Sequence, residues 1–218
     1  MTSGPLISSN LPLQLSVVFV EKIVFFAVIV CKNIPKKLES KTSKQFDEQA
    51  GACKDMFSKK AKDYGTSWRI LRLSSLADQI FIKAQRIRTI DRLEVKKVSE
   101  EMDSEFIGIV NYSVIALIRL SLGNRIEEPL AHEELMQLYG EKIATAKALM
   151  MAKNHDYGEA WRDMLISSFT DLILMRILRI RQMEDNDGKT LASEGVDANL
   201  YDIINYAIFA LIKIGEQQ

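Results

Sequence analysis

From about residue 42 onward, apolar residues recur at three- and four-residue intervals, the period of helices that bury one face. The stretches SKQFDEQAGACKDMFSKKA (43–61) and EELMQLYGEKIATAKALMMAK (133–153) follow this pattern and predict two first helices. Second helices are expected to begin at Ser75-Leu-Ala-Asp78 and Ser168-Phe-Thr-Asp171, which read as capping boxes, and to end near 91 and 184. Third helices follow Ser99 and Ser193, read as N-caps, and run through IVNYSVIALIRL and IINYAIFALIKI. These last two are apolar nearly all round, so they should lie centrally.

The pattern occurs twice because the chain is duplicated. Residues 60–91 and 153–184 align without a gap at an offset of 93, with 13 of 32 positions identical. At an offset of 94, residues 99–118 match 193–212 at 9 of 20 positions. The fold class expected is therefore all-α: a helical bundle of two pseudo-equivalent three-helix repeats, 42–122 and 132–218, joined by a linker at 123–131.

Residues 1–41 have no counterpart in either repeat. Within them, LSVVFVEKIVFFAVIVC (15–31) is apolar except for Ser16 and the Glu21-Lys22 pair, and a basic KNIPKK follows. A spanning helix needs about 20 apolar residues, and central charges each cost roughly 2.5–3.5 kcal/mol, so the pattern argues against a membrane span. A signal peptide would begin with basic residues, and MTSGPLISSN has none. An added strand or helix packing on the body, or a start assigned too far upstream, remain the other readings.

Composition narrows the function classes. Hydrophobic residues make up 47% and charged residues 27%, enough apolar material for a core. Lys+Arg and Asp+Glu both number 29, so no overall basic field favours duplex DNA. The two cysteines, Cys31 and Cys53, make neither a disulfide framework nor a CxxC zinc site, which suits a cytoplasmic compartment. No P-loop, GxGxxG or twice-kept Cys/His pair is present, so P-loop phosphotransfer, Rossmann redox chemistry and acyl transfer are poor candidates.

Between its first and second helices each repeat keeps an Asp-Tyr-Gly-x-x-Trp-Arg string: Asp63, Tyr64, Gly65, Trp68 and Arg69, then Asp156, Tyr157, Gly158, Trp161 and Arg162. Lys60 and Lys153 precede it. Tyr and Trp offer faces to a nucleobase, Lys and Arg hold phosphate oxygens, and Asp accepts from a base or ligates a cation. The alternative is structural, with the aromatics as packing anchors and Asp63 paired to Arg69 or closing the turn. The second helices carry Lys83, Arg86 and Arg88, twinned with Arg176, Arg179 and Arg181. Lys83 and Arg86 share a face, to hold phosphate or to pair with acids of the third helix. On that third helix Glu100, Asp103 and Asn111, twinned with Glu194, Asp197 and Asn205, form a polar stripe roughly 80° wide. The acids stand one turn apart, close enough to share a magnesium ion, although acids also favour a helix start for its dipole alone.

The strings KAKDYGTSW with NYSVI, and KNHDYGEAW with NYAIF, resemble the nucleotide modification associated domain family, type 1, in a tandem-duplicated form covering about 42–215. The resemblance implies a setting in modified-nucleotide metabolism. A looser similarity is to all-α nucleoside triphosphate pyrophosphatases of the MazG and dimeric dUTPase type, which hold magnesium with E-x-x-E and E-x-x-D elements. Glu100-x-x-Asp103 and Glu194-x-x-Asp197 match only the second element. The expected function is nucleotide binding, extending to magnesium-dependent pyrophosphohydrolysis, with a non-catalytic sensing or interaction module as the alternative. The metal residues would be Glu100, Asp103, Glu194 and Asp197. The substrate residues would be Lys60, Asp63, Tyr64, Trp68, Arg69, Arg86 and Asn111, with Lys153, Asp156, Tyr157, Trp161, Arg162, Arg179 and Asn205. The partner expected is a nucleotide or nucleoside, with no duplex nucleic acid and no membrane, and with room for a homo-oligomer.

Overall fold

The computed structural model describes residues 40–90, 102–123, 125, 130–185 and 195–217. Among them six α-helices and two short 3-10 turns account for the regular structure, and no strand occurs. Helix α1 spans Lys41–Tyr64, α2 Leu73–Ile90 and α3 Met102–Leu122. Helix α4 spans His132–Tyr157, α5 Ile166–Asp185 and α6 Val196–Gly215. The duplicated all-α bundle expected from the repeat is what the chain forms.

Each helix has a local cause. In α1, Phe46, Ala50, Cys53 and Phe57 recur every three or four residues and are all buried. The first helix of each repeat stops at a glycine in the left-handed region, Gly65 at φ +60° and Gly158 at φ +61°. Their amides close back onto Ala61 O (2.9 Å) and Asn154 O (3.0 Å), satisfying carbonyls that the helix end would leave bare. A single 3-10 turn follows, Ser67–Ile70 or Ala160–Asp163, and it turns its tryptophan inward.

Helices α3 and α6 pack on each other at the centre, as their all-round apolarity requires. Helices α1 and α4 pack together and against both central helices. On the other side α2 packs on α3, α5 packs on α6, and α2 and α5 meet. The result is three layers, each pairing a helix with its twin from the other repeat, so that the repeats are arranged about a pseudo-twofold axis. Helix α3 is long and apolar enough to cross a membrane by length and composition, but its most apolar stretch is 67% buried in this bundle.

Two expectations about helix starts need correction. Helices α2 and α5 begin at Leu73 and Ile166, so Ser75 and Ser168 lie inside the first turn rather than at a cap. Asp78 and Asp171 do not close capping boxes but reach across the pseudo-twofold axis. Arg181 Nη2 lies 2.5 Å from Asp78 Oδ1, and Arg88 Nε lies 3.8 Å from Asp171 Oδ1. The same contact thus occurs once in each direction, which explains why the second Arg of R-x-R and the acid of the S-x-x-D string are kept together. At α6 the N-cap position is Gly195. Ser99, Ser193 and the apolar segment 15–31 lie outside the described residues.

Candidate functional site

The Asp-Tyr-Gly turn of the first repeat borders a partly open cavity of about 590 Å³. Helix α1 contributes Met56, Phe57, Lys60, Ala61 and Tyr64; the turn contributes Gly65, Ser67, Trp68 and Leu71. Lys83 enters from α2, and α3 supplies Ser104, Glu105, Ile107, Gly108, Asn111, Tyr112 and Ile115. Four of the seven first-repeat residues expected to bind substrate therefore meet here, Lys60, Tyr64, Trp68 and Asn111, together with Gly65 and Lys83. Asp63 is exposed at the end of α1, and neither it nor Arg69 nor Arg86 lines the cavity.

The walls combine apolar and charged chemistry. Trp68 is 9% exposed, and its buried Nε1 has no hydrogen-bond partner among the described residues. Tyr64 is 71% exposed, its ring at the rim. Glu105 is nearly fully buried, and its carboxylate accepts from Lys83 Nζ at 3.1 Å and from Arg86 Nη1. Lys83 crosses α3 at Gly108: a Cβ there would stand 2.6 Å from Lys83 Cε. Glycine at 108 is what lets the lysine stem lie against the helix.

Asn111 is buried, and its Oδ1 accepts the Tyr139 hydroxyl at 2.8 Å. Tyr139 comes from α4 of the other repeat, is wholly buried, and packs on Phe57 with ring centroids 4.7 Å apart. Burial, and to a lesser degree the Cys53 thiol, push the Tyr139 hydroxyl well above its ordinary pKa, so it remains a donor. Burial also raises Cys53, to about 12, which leaves that thiol unreactive.

The second repeat uses the equivalent residues differently. Trp161 stacks on Phe209, centroids 4.2 Å apart and planes 4° from parallel, where the first repeat has Trp68 and Ile115. Lys153 Nζ lies 2.5 Å from Asp202 Oδ1, and Arg176 Nη2 lies 2.6 Å from Asp202 Oδ2. Asp202 is the twin of Gly108, so the second repeat carries a carboxylate where the first carries the Lys83 stem against a glycine. Asn205 is buried, its Oδ1 without a partner among the described residues, since Tyr139 has as its own twin Phe46, which carries no hydroxyl.

Arg162 is also committed to packing. It donates to Glu159 (2.8 Å), Thr42 (2.6 Å), Gln45 (2.8 Å) and Glu216 (3.3 Å), and its guanidinium carbon lies 4.4 Å from the Trp161 ring centroid. This network holds Glu159 in a left-handed conformation, φ 59°, that a non-glycine residue adopts only under constraint. Hydrogen bonds from Thr42 and then Arg162 hold the Glu159 carboxyl below its ordinary pKa. The twins of Thr42, Gln45, Glu159 and Glu216 are Leu135, Leu138, Thr66 and Leu122, so these partners of Arg162 are not repeated in the first half. The remaining second-repeat candidates lie at the surface: Asp156 beside His155 at 3.1 Å, Tyr157 at 73% exposure, and Arg179 exposed.

Of the expected metal residues, Glu100 and Glu194 lie outside the described residues. Asp103 stands in the first turn of α3 with Oδ1 2.7 Å from the Ser104 amide, and Asp197 stands in the first turn of α6. Among the described residues no three acidic, histidine or cysteine side chains gather as metal ligands. Sequence reasoning missed Glu105, Asp202 and Tyr139. A comparison of positions where the repeats differ would have flagged the acids: Glu105 against Asn199, and Gly108 against Asp202, move a carboxylate by one turn.

Fold and site together define an all-α protein of two fused three-helix units, with an open aromatic and basic cavity in the first and, at the equivalent positions of the second, a Trp161–Phe209 stack and a Lys153–Asp202 ion pair. The chain belongs to the nucleotide modification associated domain 1 family, whose pattern matches it twice, at 60–120 and 153–214. No curated protein and no solved structure matches it significantly.

Proposed function

We propose that the protein binds one nucleotide per chain, in the first-repeat cavity, with the base against Trp68 and Tyr64 and the phosphates toward Lys60. The observation that carries this reading is the cavity itself: its volume falls in the range of small-molecule sites, roughly 300–1,000 Å³, and two aromatic side chains and a lysine kept in both repeats line it. The family's association with nucleotide modification supports the choice of ligand class. Glu105 is the one acid that lines the cavity among the described residues, and Lys83 and Arg86 already neutralise it. The chemistry on hand is thus that of holding a ligand, and hydrolysis is the second reading, resting on Asp103 and Asp197 with Glu100 and Glu194.

The test is a panel of canonical and modified nucleoside mono- and triphosphates, read by thermal shift and titration calorimetry. Saturable binding at one site per chain is expected, weakened about tenfold or more in Lys60→Ala through loss of a charge-assisted contact. No binding across the panel sinks the reading. Phosphoanhydride hydrolysis when magnesium is added would establish the second one, and binding without turnover would leave the protein a sensor or carrier.

A further inference from the structure

We infer that Asn111, held in one orientation by Tyr139, makes the cavity select bases that present a ring carbonyl over those that present an amine at the same position. The inference rests on the nucleotide reading and gives it a specificity. Tyr139 is wholly buried, and the partner its hydroxyl has among the described residues is Asn111. A buried hydroxyl proton left without an acceptor is costly, so the amide must turn Oδ1 toward Tyr139. Rotating the amide by 180° would set its NH₂ group against the hydroxyl and strand that proton. What Asn111 has left to offer the cavity it lines is therefore Nδ2, a donor.

The pairing occurs only on the cavity side. In the second repeat the tyrosine is replaced by Phe46, and the Asn205 Oδ1 is left without a partner among the described residues. An asparagine free to turn accommodates acceptor or donor equally. One whose orientation is fixed rejects an exocyclic amine, because two donors then face each other in a desolvated wall. Tyr139 acts here as a positioning residue.

The experiment compares ligands that differ in a single keto or amino group: dUTP with dCTP, and dITP with dATP, with their monophosphates alongside. For whichever pair binds, calorimetry should show the keto member tighter by about tenfold or more. Asn111→Ala should bring the two members within about twofold of each other. Tyr139→Phe, which places at 139 the residue already present at its twin, should keep the fold and reduce the ratio at least threefold by freeing the amide. Equal affinities within the pairs, a preference for the amino member, or a keto preference that survives Asn111→Ala overturns the inference while leaving nucleotide binding intact. Absence of binding by every nucleotide overturns the nucleotide reading and this inference with it.

Discussion

Replacing Ile115 by phenylalanine should close the first-repeat cavity as its twin is closed. Ile115 and Trp68 both line the cavity, and their counterparts Phe209 and Trp161 are stacked at 4.2 Å and 4°. A phenyl ring introduced at this position has open space ahead of it and a ready partner in Trp68. An aromatic pair of this kind contributes about 0.5–1.5 kcal/mol beyond the area it buries. For a chain of 218 residues that corresponds to a rise in melting temperature of about 1–6 °C. The same ring would take the Trp68 face assigned to the base, and stacking contributes roughly 1–3 kcal/mol per base, so affinity should fall by about 5- to 150-fold. Thermal melting without ligand and calorimetry with the tightest nucleotide of the panel read the two effects separately. A variant that melts higher and binds worse fits the account. Unchanged affinity in a folded Ile115→Phe variant would refute the assignment of the base to the Trp68 face, and lost affinity with lost stability would show only a damaged core.

Gly108→Asp imports the second repeat's acid; its Cβ would push the Lys83 stem aside and its carboxylate should draw Lys60 or the displaced Lys83 onto it, lowering nucleotide affinity by about tenfold or more; binding at wild-type strength argues that these lysines do not face the ligand. Glu105→Gln leaves Lys83 and Arg86 without their buried acid. Breaking a fully buried pair costs roughly 3–5 kcal/mol, and since both cations are about a quarter exposed the loss here should be nearer 2 kcal/mol, measurable by urea denaturation. Arg162→Ala removes the clamp on Glu159 and should cost roughly 1–3 kcal/mol with nucleotide affinity intact; a selective loss of binding instead would place a ligand in the second repeat. Folding lowers the Glu159 and Glu216 carboxyls below their ordinary value of 4.5. They therefore contribute stability above that value and lose it as pH falls through the lower folded value, so melting temperature should drop below about pH 4.5. In Arg162→Ala this acid-side drop should be smaller, and an equal drop would assign it to other carboxylates.

Much of this architecture was legible in the residues, for identifiable reasons. A three- and four-residue apolar period, interrupted at Gly65 and Gly158, can only be a helix that stops where the backbone must turn left-handed. The all-round apolarity of α3 and α6 left them nowhere to go but the centre. The helix starts differ from this reading because Ser-x-x-Asp satisfies a capping box and an ion pair equally well, and the ion-pair partner, Arg181 for Asp78 or Arg88 for Asp171, stands 103 or 83 residues away. The candidate site was half legible. Identity between repeats pointed to Lys60, Tyr64, Trp68 and Asn111, but identity is blind to residues that differ because the two halves have taken different roles. Glu105, Gly108 and Ile115 line the first-repeat cavity, while their twins are Asn199, Asp202, which pairs with Lys153, and Phe209, which stacks on Trp161. Tyr139 was invisible for another reason: it lies in the opposite repeat and reaches Asn111 only through the packing of α4 on α3.

The chain holds two tryptophans, one in each turn, which makes fluorescence the most direct test of where a base sits. Trp161→Phe leaves Trp68 as the reporter, and Trp68→Phe leaves Trp161. Titration with a binding nucleotide should quench the emission of Trp68 and leave that of Trp161 unchanged. Quenching of Trp161, alone or equally with Trp68, would contradict the assignment of a single base-stacking site to the first repeat.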